Sequence, residues 1–459
     1  KTLIFTPAII IFFICIQNEI IFKAILKMYN MRMIQLICIA LLIPCLGISQ
    51  MINKVITKSE TERIERVLAS DEMEGRRTFS PSIDKAAAFI AKEFEASGLK
   101  SLKGDNQFLQ SFSINRPKFI SLSASLDGTI IDNKQVIVVT IEPEIKITEA
   151  TGYAVAKIAA GENLNQAAAK MIGTNQKTIV LVDESHTQNF SRLVRFKNNL
   201  ASNQATVIFV LTNATPAKYA IQASHQIETM PLANVVAMLP GKTLPNEYVI
   251  FSGHYDHIGV NSKNMINGDS IFNGANDDAA GTTAMIMLSK YYKALNNNER
   301  TILFAAFTAE EVGGYGAQYF SKQLDPAKVV AMFNIEMIGT ESKWGKNSAY
   351  ITGFDKTNMG AILQKNLEGS SFKFYPDPYT EQNLFYRSDN ATLARLGVAA
   401  HTISTSKMDS EPNYHKASDQ IETLDLDNMN EIIKAIAISA GSIVAGKDTP
   451  TRVDTSQLK

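Results

Sequence analysis

The chain reads as an α/β protein built on a mostly parallel mixed sheet sandwiched by helices, with a β-rich domain inserted before it. Two observations predict the sheet. Apolar runs at 248–251, 302–307, 329–335 and 398–403 have the length and composition of buried strands. Helical stretches at 279–295, 317–324 and 426–444 separate or follow them. Such alternation marks a parallel sheet, whose neighbouring strands need crossover connections. A third observation, short β-branched runs at 136–141, 178–182 and 205–211 between polar segments, predicts the inserted unit.

In chain order, the first fifty residues differ in kind from the rest. From Met31 or Met33 the order is Arg32, an apolar run over 34–46, then Gly47-Ile48-Ser49, the layout of a secretory signal whose translation starts near Met31. A secreted or periplasmic protein is expected, with an anchor retained in the membrane as the alternative; the run is short for a full span of about 20 residues. Cys15, Cys38 and Cys45 all lie in this leader, so the rest of the chain has no thiol nucleophile, thiolate metal site or disulfide.

Segment 50–111 is expected to contribute N-terminal helices to the catalytic unit. Ser59 and Glu62 have capping-box spacing before a helix over 60–69, and Pro81 and Gly98 bracket a second. Segment 112–231 is the inserted domain, in which His186 and His225 stand singly and are expected as surface or hydrogen-bonded residues. Segment 232–446 carries the strand and helix alternation, and 447–459 is a tail. With 459 residues, 45% of them hydrophobic, the chain can fill two cores. Lys plus Arg and Asp plus Glu balance at 45 each, which points away from nucleic acid and from a membrane surface as partners and toward a small or uncharged one.

In a parallel sheet the ligand site lies beyond the carboxyl ends of the strands. His254 and Asp256 follow the first apolar run, Glu310 and Glu311 the second, Glu336 ends the third, and His415 lies in the loop after the fourth. Asp277 and Asp278 stand at the mouth of the helix after the first. Singly these are common surface residues; gathered at one sheet edge, so many like charges repel unless cations sit between them.

The ordered set GHYDHIG, GANDDAAG, FTAEEVG, NIEMIG and YHKASD resembles the aminopeptidase Y family of co-catalytic zinc peptidases, which includes bacterial leucyl aminopeptidases and relatives of glutamate carboxypeptidase. LASDEMEGRR and RSDNATLARLGVAA look like the same family. The resemblance implies a zinc-exopeptidase fold of the phosphorylase/hydrolase type and two Zn²⁺ per chain. One would be held by His254 and Glu336, the other by Glu311 and His415, with Asp277 bridging. Glu310 would be the general base, and Asp256 would orient His254. Glu336 stands where the family commonly has Asp, and Asn390 where many relatives carry His. His257 and Asp278 are expected as hydrogen-bond support, and the insertion occupies the place of a protease-associated domain.

The implied activity is a metallo-aminopeptidase that releases N-terminal residues from a peptide substrate. The alternatives are a carboxypeptidase or dipeptidase, for which Arg387 is the candidate carboxylate partner, a single-zinc enzyme resembling glutaminyl cyclase, and a non-catalytic binding module. Oligomeric state has no signature in the sequence.

Overall fold

The computed structural model describes residues 50–102 and 107–458, so the expected leader and its cysteines lie outside the described residues. Two helices come first, α1 (Lys58–Leu68) and α2 (Pro81–Ala96). Thr57, not Ser59, caps α1 by accepting from the Glu60 amide, and Glu62 pairs with Arg66 one turn on instead of reaching back. Two hydroxyls two residues apart compete for one cap, and the helix begins a turn-fraction earlier than its apolar pattern suggests.

Next comes a long ribbon. Strand β1 (Leu109–Leu126) pairs antiparallel with β6 (Tyr219–Leu239) along almost its whole length, and between them lie β2 (Val136–Val139), β3 (Ala154–Ile158), helix α3 (Leu164–Gly173), β4 (Thr178–Val182) and β5 (Val207–Leu211). The boundaries expected at 112 and 231 fall inside the ribbon strands, which run without a break from the main sheet into the inserted lobe. The lobe has a four-stranded sheet in the order β2-β5-β4-β3, parallel except for β2. One face packs on the ribbon through Val136, Val138, Ile208 and Ile221, and the other carries α3 and the 191–197 turn.

The rest of the chain supplies β7 (Leu244–His254), α4 (Ala280–Leu295), β8 (Arg300–Phe307), α5 (Tyr315–Lys322), β9 (Val329–Ile335), β10 (Ser348–Ile351), α6 (Met359–Asn366), β11 (Lys373–Pro376), α7 (Asn390–Ala394), β12 (Ala399–Ser404) and α8 (Leu426–Ser439). The main sheet runs β11-β10-β12-β9-β7-β8-β6-β1. Its centre, β12-β9-β7-β8, is parallel, and antiparallel pairs flank it on both sides. This is the mostly parallel mixed sheet expected from the sequence.

Alternation along each central strand assigns the two faces. On β8, Ile302, Phe304 and Ala306 join the core with α1, α2, α4 and α8, whereas Leu303, Ala305 and Phe307 join the core with α5 and α7. Phe251 stacks between Phe304 and Phe333 at ring separations of 5.9 and 4.9 Å, which fixes β7 between its neighbours. Both faces are therefore dry, and the polar residues of these strands emerge only at their ends. Among the described residues no helix is long and apolar enough to cross a membrane.

Candidate metal centre at the strand ends

Strand β7 ends on His254, β8 is followed by Thr308-Ala309-Glu310-Glu311, and β9 by Glu336. Parallel pairing places these ends side by side, with His254 opposite Phe307 and Ser252 opposite Asn334. Asp277 arrives from the turn before α4, and His415 from the loop after β12.

That turn is held from several directions. Asp419 accepts the amides of Asn276 and Asp277 at 2.9 and 3.0 Å. Asp278 accepts the amides of His254, Gly281 and Met337 at 3.2, 3.0 and 3.0 Å, tying the ends of β7 and β9 to the start of α4. A Cβ on Gly281 would meet the Ile335 carbonyl and the Asp278 carboxylate, so only glycine permits this approach. Arg76, fully buried, donates to the carbonyls of Tyr255, Asn273 and Gly274 and so holds the His254 and Asp277 loops together from behind.

Two groups of ligand atoms result, sharing Asp277. His254, Asp277 and Glu336 form one; His257, Asp277 and Glu311 form the other, with the atoms of each group within 4.8 Å of one another. His254 Nε2 is 3.1 Å from Asp277 Oδ1. His415 Nε2 lies 3.3 Å from Asp277 Oδ2 and 3.2 Å from Glu311 Oε2, so it belongs to the second group as well. All five residues expected as ligands are thus brought together. His257, expected only as support, is the addition: its Nδ1 is 2.7 Å from Glu311 Oε1. Its position three residues past His254 was the available signal.

The donor set fits divalent cations. His254 Nε2, Asp277 Oδ2, Glu311 Oε1 and Glu336 Oε2 are buried and have no hydrogen-bond partner despite these short separations. Buried lone pairs facing one another at such distances are stable only around positive charge. The electrostatics agree. Burial disfavours the charged form of His254, but Asp277, Asp278 and Glu310 outweigh it and raise its pKa well above the usual value. Against its own burial, Asp277 is held below the usual carboxylate range by His254 and His415. Burial, reinforced by Glu336, raises Glu310 well above that range, and burial likewise lifts Glu336 to about 6.

Asp256 is placed differently from expectation. Its carboxylate lies 3.8 Å from His254 Nδ1, which instead meets the Asp256 carbonyl at 3.1 Å. The carboxylate accepts the Glu310 amide at 3.0 Å and the Thr78 hydroxyl at 2.8 Å. It therefore fixes the backbone of Glu310, and only its carbonyl orients His254. Asp278 contributes hydrogen bonds as expected. Asn390 donates to the Phe385 carbonyl and accepts from Thr402, in the core under β12.

Beside Glu336 opens a narrow cleft of about 40 Å³ whose lining includes Arg387, Tyr414, Met408, Tyr350 and Leu384. Tyr414 stacks on His415 at 3.9 Å. Asp389, at the start of α7, is buried with both oxygens unpartnered, and burial raises it to about 8.

Residues 234–439 match the model described as Peptidase family M28. The probable leucine aminopeptidase of Trichophyton verrucosum is 29% identical over 211 residues, 44% of this chain and 54% of that protein. Leucine aminopeptidase 1 of Trichoderma harzianum is 29% identical over 232 residues, 48% and 56% of the two chains. The chain thus spans about half the length of the curated relatives it matches. Among solved structures, the aminopeptidase from Aneurinibacillus sp. strain AM-1 covers 89% of this chain and 98% of its own at a TM-score of 0.51 and 15% identity. A zinc aminopeptidase from Bacillus subtilis covers 86% and 97% at a TM-score of 0.50, also at 15% identity. These two likenesses speak to the fold; the likeness to peptidase family M28 rests on residues 234–439, the segment that carries the ligand-bearing motifs.

Proposed function

We propose that this chain is a zinc-dependent exopeptidase, and specifically an aminopeptidase that hydrolyses the first peptide bond of its substrate. The observation that carries the reading is the pair of ligand groups sharing Asp277, with Glu310 on the adjoining turn but in neither group. His254 and Glu336 would hold one zinc, Glu311 and His415 the other, and Asp277 both. When bound, two zinc ions supply Lewis acidity for the scissile carbonyl and bring the pKa of water near neutrality. The chain's own part is proton handling and positioning. Glu310, whose proton affinity burial raises, accepts a proton from the nucleophilic water at a carboxylate oxygen and delivers it to the leaving amine. Asp256 holds the Glu310 backbone, and Thr78 holds Asp256. The acidic surroundings suit a free α-ammonium. The cleft beside Glu336 would receive the side chain being released.

Export from the cytoplasm, through the segment after Met31, belongs to the same proposal, as does the reading of the inserted lobe as the counterpart of a protease-associated domain. A second reading, carboxypeptidase or dipeptidase, draws support from Arg387, whose exposed guanidinium stands at the cleft and bonds only weakly to Gln382, at 3.3 Å. Elemental analysis combined with aminoacyl amides, N-blocked peptides and dipeptides, with and without chelator, tests the proposal. The expected result is two zinc per chain and turnover of unblocked amides. Glu310→Gln should lower kcat by about 10²- to 10⁴-fold at unchanged metal content. Full turnover by that variant would remove Glu310 from its role, and preference for N-blocked substrates would favour the second reading.

A further inference from the structure

The inserted lobe contains a cavity of about 250 Å³ to which no residue of the metal centre contributes. Leu122, Val136, Val138 and Val194 give it apolar walls, and its polar lining is His225, Lys197, Lys134 and Asn133, with Phe119 beside the first two. None of the lining residues is acidic.

His225 is the anomaly. Its side chain is buried, the residue being only 3% exposed, yet neither ring nitrogen has a hydrogen-bond partner. Native interiors rarely leave such a group unsatisfied. The ribbon slips register between Ser224 and His225, where the His225 amide donates to the Pro143 carbonyl at 2.7 Å, continuing the pairing of 220–224 with the strand at 144–148. Bulges of this kind re-aim a side chain. Here the imidazole lies edge-on to Phe119, its cross-strand partner, at 6.3 Å between ring centres. Lys197 Nζ is 5.5 Å from the centre of the same ring. Among the described residues no carboxylate pairs with Lys197, and burial lowers its pKa. Burial, with the nearby ammonium, lowers His225 to about 4. A neutral imidazole offers one N–H donor and Lys197 a positive charge, both beside an apolar chamber.

We propose that this cavity binds a small apolar monocarboxylate, with its hydrocarbon against Leu122, Val136, Val138 and Val194 and its carboxylate between Lys197 and a ring N–H of His225. An amine or a free amino acid would set an ammonium beside Lys197 with no acid to meet it. The volume, at the lower end for ligand pockets, suits a short acyl chain or one C-terminal side chain. Free aliphatic acid and peptide C-terminus share this chemistry.

The test is calorimetric titration of the full metal-loaded chain with octanoate and N-acetylleucine, each against its primary amide. At least one acid should bind saturably with one site per chain, and its amide should bind roughly ten-fold or more weakly, the loss expected for a charge-assisted contact. Which acid binds more tightly distinguishes the two sources. Lys197→Met should weaken the acid by a similar factor while the thermal midpoint and hydrolytic turnover stay at wild-type values, because Lys197 is remote from the metal centre. In the wild-type chain the His225 ring C–H resonance should move with saturation, a readout that needs no substitution in the core. Absence of saturable binding, equal affinity for acid and amide, or unchanged binding by Lys197→Met would overturn the proposal, the last because the carboxylate would then be seated away from Lys197.

Discussion

Glu65 offers a sharp quantitative test of the packing behind the metal loops. It sits on α1 facing the first turn of α4, wholly buried, with Oε2 accepting from the Thr283 hydroxyl at 2.7 Å and Oε1 without a partner. Burial raises its pKa from 4.5 to about 8, partly opposed by Thr283 and Arg76. The folded state therefore binds a proton that the unfolded state has released, and stability falls as pH rises from the unfolded value toward the folded one. At 1.36 kcal/mol per pKa unit, the penalty relative to a permanently neutral group is about 1 kcal/mol at pH 5, about 3 at pH 7 and about 4 at pH 8. Glu65→Gln supplies that neutral group with almost the same shape. Urea unfolding of both chains at each pH, at one fixed zinc concentration, gives the difference directly, since all other titrating groups are common to the two. The variant should gain about 3 kcal/mol on the wild type between pH 5 and pH 8. A gap that stays constant over this range would mean that Glu65 is ionised in the fold, and the account of this interior would be wrong.

Other consequences are more direct. Asp277→Asn should lose both metals together on dialysis against a chelator, and a chain that keeps one zinc tightly would show that Asp277 is not shared. His257→Gln, removing the nitrogen beside Glu311, should weaken metal retention by about 10- to 100-fold in chelator competition, the usual effect of losing a ligand's support. Arg76→Leu should lower unfolding free energy by at least about 3 kcal/mol, because the carbonyls of Tyr255, Asn273 and Gly274 lose their buried donor, and a change under 1 kcal/mol would contradict that role.

The central sheet was legible in the sequence because parallel strands covered on both faces are written as near-continuous apolar runs. Every residue of β8 and β9 is buried, so nothing polar blurs their limits. The ribbon was not legible. Strand β6 passes from a buried stretch to a half-exposed edge, β1 is partly exposed along most of its length, and Pro117 and Pro231 interrupt their patterns, so neither reads as one long strand. His225 was unreadable for a related reason: a lone histidine carries no mark of the bulge that turns it inward. At the metal centre, residue types and chain order pointed to the ligands, but their supports had no local signature. Arg76 acts on carbonyls almost two hundred residues away, and Asp419 on amides more than a hundred away.

The buried acids at the strand ends divide by what their oxygens meet, and this division explains how so much negative charge is assembled. Asp256, Asp278 and Asp419 accept backbone amides, which offset part of the cost of burying them and fix the loop geometry. Asp277, Glu311 and Glu336 each keep an oxygen without a donor; that of Asp277 faces His415, that of Glu311 faces His257, and Glu336 groups with His254. The first set builds the frame, although burial still raises all three; the second keeps unpaired oxygens and so is available to cations. Glu310 and Asp389 belong to neither set. Burial raises the proton affinity of both. A base that must carry a proton between two partners gains from this raised proton affinity. Only Glu310 combines it with a backbone pinned beside the ligands, by Asp256.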